Sequence, residues 1–414
     1  MLGEAAPPAA PHFPVNHLMA EYVDTVQATR RRRRPGPFAR SEDRPLIARL
    51  DWVLLAAAGG LVAFGLWAIS GITRHDVPGD PDYYVTRQLV FAVVGIALMV
   101  GAIFVDPQWY RRWKPALYGV MIGLMVLVAL AGTVARGSRR WIDVSFFRFQ
   151  PSEFGKLLFV LFIAAFLADR IRRIEDLRTP LSAIALAVPP VLLVFLQPDL
   201  GSGLVYLAAL GACLFVAGIR WLHLCVLTAL TLLALTAALW LLPAAGIQVL
   251  KQYQADRLTG FLDPEEDPQG TTWNQRQSIT AVGSGGFSGR GVDEATQTRL
   301  DYLPEHATDF AFASLSEQRG FVGAAILLLL YLLVVWRGLK IVTIARDAFS
   351  AIAAAGIVFA LLFQVFVNVG MATGVAPVTG ITLPFVSVGG SSLVANLVAI
   401  GVLEAIAVRG RRRP

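Results

Sequence analysis

Residues 52–71 read WVLLAAAGGLVAFGLWAISG, 20 positions without one charged side chain. A helix must supply about 20 mostly apolar residues, at about 1.5 Å rise each, to cross the hydrocarbon core of a bilayer. This stretch therefore reads as a membrane span. Nine further apolar runs with charged flanks follow, at 89–105, 116–134, 154–169, 181–198, 203–218, 221–243, 321–338, 350–376 and 392–408. Those beginning at 154 and 203 are short, and Pro189 and Pro190 lie inside another. Packed neighbours in a membrane bundle tolerate such prolines. No β-barrel alternation is present. The fold class is an all-α polytopic membrane protein of about ten transmembrane helices.

Composition agrees with that reading. Of 414 residues, 56% are hydrophobic and 16% charged, against about 25% charged in a soluble domain. The net charge of +7 does not indicate nucleic acid, because the basic residues gather beside the apolar runs rather than in a basic domain with interleaved aromatics. Arg30 to Arg34 precede the first span, and Arg409, Arg411, Arg412 and Arg413 follow the last. The positive-inside rule places both termini in the cytoplasm, as ten spans require. Short loops at 106–115, 170–180 and 337–349 are basic and fall on the same side. The loop 135–153 breaks the rule, being expected outside while carrying Arg136, Arg139, Arg140 and Arg148.

Residues 1–45 are polar, Pro-rich and basic, with no apolar stretch for a signal peptide, and read as a disordered cytoplasmic tail ahead of a membrane domain at 46–414. Cys213 and Cys225 have neither metal spacing nor a disulfide framework. The one long connection, 244–320 between spans seven and eight, is expected outside. Phe261, Trp273, Phe287, Tyr302 and Phe310 give it apolar anchors. We expect a helix at 271–282, a glycine-rich turn from Gly283 to Gly291, and a helix at 305–318 running towards the eighth span.

Within that connection Asp263, Glu265, Glu266 and Asp267 place four carboxylates in five positions. The cluster is either a solvated acidic turn or a site where like charges and partial burial raise one carboxylate's pKa for general-base work. Polar residues elsewhere point to the same side. Arg139-Arg140-Trp141 precedes Gln150-Pro151-Ser152-Glu153, where Glu153 and Lys156 sit one turn apart at the mouth of the fourth span. Ionisable groups at membrane depth are functional candidates by default, and arginines beside them can hold a pyrophosphate through bidentate contacts. Gln197-Pro198-Asp199-Leu200-Gly201 ends the fifth span, and Ser387-Val388-Gly389-Gly390-Ser391 begins the tenth. Each of these two is a helix cap in the plainer reading and together they would line an outward-facing polar site.

In combination these motifs resemble the SEDS family of RodA and FtsW. The residues that carry the likeness are Leu262-Asp263-Pro264 to Asp267-Pro268, Gln277-Ser278, Gly283-Ser284-Gly285-Gly286, Tyr302-Leu303-Pro304-Glu305-His306-Ala307-Thr308-Asp309-Phe310, Asn368-Val369-Gly370 and Leu383-Pro384 with Gly389-Gly390-Ser391, together with the motifs above. The likeness spans about residues 50–410. It implies a peptidoglycan glycosyltransferase that polymerises lipid II at the outer face of the bacterial cytoplasmic membrane. By the family pattern the catalytic carboxylate is Asp267, with Asp263 the alternative. The substrate-binding set is Arg139, Arg140, Trp141, Glu153, Lys156, Asp199, Gln277, Ser278, Glu305, His306, Thr308, Ser387 and Ser391.

The resemblance also implies undecaprenyl pyrophosphate as leaving group, a divalent cation (Mg or Mn) sharing its charge, and a class B penicillin-binding protein as partner on the eighth and ninth spans. The Gly-Ser-Gly-Gly and Gln-Pro-Asp-Leu-Gly forms look more like the elongation type, RodA, than the division type. Val388 departs from the usual Tyr, and Thr271-Thr272-Trp273 from the usual Gly or Tyr. A precursor flippase would also use ten spans with intramembrane charge, but its charges belong near the midplane, in broken helices of paired repeats. A scaffold for a transpeptidase would leave the carboxylates without a task. His306, between Glu305 and Asp309, reads as a hydrogen-bonding group more than as an acid or base, and Glu404 as a packed group near the cytoplasmic end.

Overall fold

The computed structural model describes residues 45–135, 138–144, 147–237, 261 and 271–411. Among them, nine helices are long and apolar enough to cross a membrane. In chain order the elements are α1 (Trp52–Ile72), α2 (Tyr83–Phe104), α3 (Lys114–Ala131), strands β1 (Thr133–Ala135), β2 (Ser138–Val144) and β3 (Phe147–Phe149), then α4 (Pro151–Asp169), α5 (Arg178–Leu196), α6 (Leu200–Ala217), α7 (Trp221–Thr236), α8 (Thr271–Ser284), α9 (Ala311–Ile344), α10 (Ala348–Ala372) and α11 (Gly390–Gly410). The run expected at 221–243 corresponds to α7, of which the described part is shorter and apolar. The protein is an all-α polytopic membrane protein.

The helices begin where the sequence supplies caps. Asp51, Asp199 and Asp347 each accept a backbone amide at the start of α1, α6 and α10 (3.2, 3.1 and 3.0 Å), satisfying donors that a helix start leaves unpaired. Pro151 occupies the first turn of α4, where its missing N–H costs nothing. Burial sorts the bundle: about 83% of the spanning window is buried in α4 and α11 and 72% in α10, against 28% in α2 and 17% in α3. The first three form the centre, and α2 and α3 turn most of their apolar surface outward to lipid.

Polar contacts mark two ends of the bundle. At one, Asp51 is held by Arg337 and by Arg411 (2.6 Å), while the Asp51 amide donates to Glu404 Oε2 (2.9 Å). There also Gln108 meets Asp347, Arg111 and Lys114 meet Asp169, and Arg220 meets Glu175. This is the end rich in arginine. At the other end lie the starts of α4, α6 and α11 and the loop from α1 to α2.

Two features were not legible. The expected loop 135–153 contains a small antiparallel meander in the order β1-β2-β3, in which Ile142 faces Phe149 and Asp143 faces Arg148. Its strands of three, seven and three residues are too short to give a clear alternation signal. The second is α9: the helix expected at 305–318 begins only at Ala311, because 304–310 are held as turns, and it runs on into the expected span at 321–338 across a break at Gly320 (φ 63°, ψ −163°).

The glycine-rich turn after α8 plugs that break. Arg290 and Gly291 donate their amides to the carbonyls of Glu317 and Gln318 (2.9 and 3.0 Å), and Phe321 and Val322 donate theirs to Gly286 and Phe287 (2.9 and 3.2 Å). The backbone groups freed by the break are thereby paired, as buried ones must be. The approach is close enough that a β-carbon on Gly289 or Gly320 would overlap the opposing backbone, and both residues have positive φ. Glycine is required there on both counts.

Candidate functional site

The mouth of α4 is the first polar centre. Gln150, just ahead of the helix, gives its amide to Ser391 Oγ (3.0 Å), and the Ser391 hydroxyl donates to Arg148 O (2.9 Å). The start of α11 is thus clasped to the start of α4. Asp199 caps α6 with one oxygen and turns the other towards Ser152 and Gln150 (both 3.4 Å). The buried Tyr206 donates to Ser152 O (3.2 Å). One turn inside, Lys156 Nζ lies 2.8 Å from Glu153 Oε1 and 2.8 Å from Gln364 Oε1 on α10. An ion pair this deep holds only with good geometry and further hydrogen bonds, and Gln364 supplies one.

Arg140 on β2 reaches the same region. Its Nε donates to Gln197 O (2.9 Å), its Nη2 to Pro198 O, and Nη1 stands 4.0 Å from Asp199. The guanidinium therefore fixes the turn from α5 to α6, and a phosphate oxygen would have to share these donors. Trp141 is half-buried beside it, its carbonyl accepting from Thr133 (3.2 Å). Arg139 lies on β2, and its side chain is outside what the structure describes.

The second centre is the segment before α9. Asp301 and Glu305 both adopt positive φ (55° and 56°), a strained conformation for residues with a β-carbon and one that clusters at functional sites. Thr308 Oγ1 donates to Glu305 Oε2 (2.8 Å). His306 Nε2 faces Asp76, in the loop from α1 to α2, at 3.0 and 3.2 Å, and its Nδ1 faces Asp301 at 3.6 Å. Burial disfavours the imidazolium, but the hydrogen bond to Asp76 and the charges of Asp76 and Asp301 outweigh it, so the His306 pKa is raised. Asp76, Asp301 and His306 also bring three ligand atoms of the kind that bind metals within 4.8 Å of one another. Yet each ring nitrogen faces a different carboxylate, so no single lone pair is directed at both. The arrangement is a clasp in which each ring nitrogen meets its own carboxylate.

The segment after α10 ties the two centres together. Ser387 donates to Thr308 O and accepts from the Leu383 amide (2.8 Å), while the Val388 amide donates to Ala307 O (2.9 Å). Gln88 at the start of α2 donates to Ser387 O (3.1 Å), and Asn368 on α10 donates to Asp309 O and Ile381 O (2.8 and 2.7 Å). Ser391 then leads directly into the α4 clasp. Gln277 and Ser278 stand apart from this network on α8: Ser278 is fully buried and donates to Ala372 O (2.9 Å), and Gln277 is half-buried. Asp263 and Asp267 lie outside the described residues, though α8 begins only four positions after Asp267.

Sequence reasoning missed Asp76, Gln88 and Gln364 as members of this framework. Gln364 carried a signal, being a polar residue one turn before Asn368 in an otherwise apolar run.

The sequence model of the cell cycle protein family FtsW/RodA/SpoVE matches residues 48–412. Stage V sporulation protein E of Bacillus subtilis (strain 168) is 38% identical over 354 residues, covering 85% of this chain and 93% of that protein. Peptidoglycan glycosyltransferase MrdB of Escherichia coli (strain K12) is 36% identical over 346 residues, covering 84% and 91%. A solved chain from a peptidoglycan synthase complex that coordinates polymerization and crosslinking superposes with a TM-score of 0.72 at 32% identity, covering 88% of this chain and 99% of that one. Matched by the family model over residues 48–412 and covering more than nine-tenths of these relatives' own length, this chain is a member of the FtsW/RodA/SpoVE family.

Proposed function

We propose that the chain is a peptidoglycan glycosyltransferase polymerising lipid II into glycan strands at the outer face of the bacterial cytoplasmic membrane, with both termini in the cytoplasm. The observation that carries this is the convergence, at the end of the bundle opposite Asp51 and Glu404, of the α4 mouth, the 301–310 segment and the 384–391 segment in one hydrogen-bonded framework. A relative bearing the name peptidoglycan glycosyltransferase matches 84% of this chain. A lipid-linked sugar donor needs such a polar mouth at membrane level.

In the reaction the 4-hydroxyl oxygen of the acceptor GlcNAc attacks the anomeric carbon of the donor MurNAc. The bond from that carbon to the diphosphate oxygen breaks with inversion, and the hydroxyl proton passes to Asp267, with Asp263 the alternative base. Positioned general bases contribute about 10²–10⁴-fold. In sequence Asp267 precedes α8 by four positions, and α8 itself is pinned to α10 by Ser278 and to α9 through the glycine splice. The diphosphate is assigned to the arginine-bearing meander, Arg139 and Arg140 with Arg148.

We read the type as elongation-like from the Gly283-Ser284-Gly285-Gly286 and Gln197-Pro198-Asp199-Leu200-Gly201 forms. A single-span class B penicillin-binding protein is the proposed partner, on the eighth and ninth spans, where Leu328 and Leu332 of α9 face outward (38 and 60% exposed). The test is polymerisation of lipid II by the purified chain. Glycan strands are expected. Lipid II movement across vesicles without strand formation would instead make the protein a transporter.

A further inference from the structure

Arg319 is a cation with an unused hydrogen-bonding edge. Among the described residues it makes no hydrogen bond and no ion pair, and its guanidinium lies over the ring of Trp67, 4.1 Å from the centroid. Phe64 braces that ring at 5.3 Å. Stacking occupies the flat face of the guanidinium and leaves its five in-plane N–H donors for an acceptor. Arg319 is half-buried, so water serves those donors only in part, and a charge without an acceptor is costly to hold there.

Position selects the acceptor. Trp67 lies near the end of α1, Arg319 directly precedes the break in α9, and Gln318 ties the two together through Gly71 O (3.2 Å). This is the end opposite Asp51 and Glu404, and an exposed tryptophan at that level marks a membrane–water interface. Beneath Trp67, α1 turns Ala63, Gly59 and Ala56 outward. Ala63 and Ala56 share a helix face with Gly60, where Leu330 of α9 stands 3.3 Å from the place a β-carbon would take. Ile326 and Leu333, both exposed, share the Leu330 face of α9. The line between α1 and α9 is therefore a shallow apolar seam of small residues with a cation at its head. A free anion would use only the head, whereas a phospholipid uses both parts, its phosphate on the guanidinium edge and a chain along the seam. Leu328 and Leu332, two positions either side of Leu330, fall on the opposite face of α9, so the seam is separate from the side proposed for the penicillin-binding protein.

We propose that the α1–α9 seam is a phospholipid site, in which the phosphodiester of a lipid in the leaflet at that end accepts from Arg319 while one acyl chain lies over Ala63, Gly59 and Ala56. None of these residues belongs to the substrate-binding set, and the site does not depend on the glycosyltransferase reading.

The test is native mass spectrometry of the purified full-length protein in an uncharged detergent, reading the first bound lipid. Phosphatidylglycerol is compared with diacylglycerol, which has the chains and no phosphate, and with glycerol 3-phosphate as a competitor with no chains. Phosphatidylglycerol affinity is expected to fall by about tenfold or more in Arg319→Gln, since hydrogen bonds to a charged group are lost. Diacylglycerol should bind weakly and equally to the wild type and Arg319→Gln, which also shows that the variant is folded. Ala63→Phe, which obstructs the seam and leaves the cation in place, should weaken phosphatidylglycerol as well. Unchanged phosphatidylglycerol affinity in either variant would overturn the proposal, as would equal losses of phosphatidylglycerol and diacylglycerol in Arg319→Gln. Displacement of the lipid by glycerol 3-phosphate at like concentration would make the spot a free-phosphate site instead. Undecaprenyl pyrophosphate binding more tightly than phosphatidylglycerol, and lost in Arg319→Gln, would make Arg319 a contact of the leaving group and overturn the choice of a phospholipid.

Discussion

Replacing Glu317 by Ala should release the connection between α8 and α9 without disturbing the rest of the bundle. Glu317 is fully buried on the outer part of α9, and its carboxylate accepts from the Gln297 amide (2.9 Å), the Thr298 amide (3.0 Å) and the Thr298 hydroxyl (2.7 Å). It caps from outside a short helix, Thr296–Arg299, whose own N-cap residue, Ala295, offers no side-chain hydrogen bond. Hydrogen bonds to charged groups are worth about 1.5–3 kcal/mol each and are not additive. Water regains access to Gln297, which is only half-buried, so we place the total near 3–5 kcal/mol. If opening is local, amide exchange at Gln297 and Thr298 should accelerate by about 10²-fold or more, since each tenfold is about 1.4 kcal/mol. Thr298→Ala, which removes one donor and leaves the carboxylate in place, should cost less, about 1.5–3 kcal/mol. Hydrogen–deuterium exchange on the purified protein reads this directly, with α11 as an internal reference. Unchanged exchange over 296–299 in Glu317→Ala would refute the capping role.

Three further outcomes follow from the same framework. Because the His306 pKa is raised in the folded protein, its contribution is complete below the unfolded value of about 6.5 and is lost as pH rises through the folded value. Exchange protection of the 73–82 loop should therefore weaken as pH is raised, and a flat profile that His306→Gln leaves unaltered would contradict the clasp. Gly289→Ala should sharply reduce the yield and melting temperature of detergent-solubilised protein, whereas Gly283→Ala, with open space around its β-carbon, should be neutral or more stable by up to about 1 kcal/mol. In a background lacking Cys213 and Cys225, a cysteine at position 270 should react with an impermeant reagent in intact spheroplasts and one at 175 only after lysis; the reverse pattern would invert the topology.

The membrane architecture was legible because lipid demands long uncharged runs, a signal that needs no knowledge of partners. Element types inside the outer connection were also legible: the expected helix at 271–282 is α8, and the turn that follows it is where the glycines are dense. What failed was everything decided across the chain. Gly320 reads locally as a helix stop, and only the backbone of the 286–291 turn, some thirty residues earlier, lets α9 continue past it. Arg140 reads as a pyrophosphate contact, and its second task, holding the carbonyls of the turn from α5 to α6, has no signal in the sequence around it. Ser387 and Ser391 read as caps or site residues, but their bonds to Thr308 and to the α4 mouth join segments 79 and 241 positions apart. Asp76 has no motif of its own and enters the site only through His306.

The central claim is that a carboxylate entering α8 removes the acceptor's proton during glycan polymerisation, and the most direct measurement is lipid II polymerisation by purified Asp267→Asn beside Asp263→Asn. Asparagine keeps the size and much of the hydrogen bonding of aspartate while abolishing the base, so both proteins should insert and accumulate like the wild type. Asp267→Asn should lose about 10²–10⁴-fold in rate, and Asp263→Asn should keep a substantial part of it. Full polymerisation by Asp267→Asn would contradict the mechanism, and loss confined to Asp263→Asn would move the base four residues upstream.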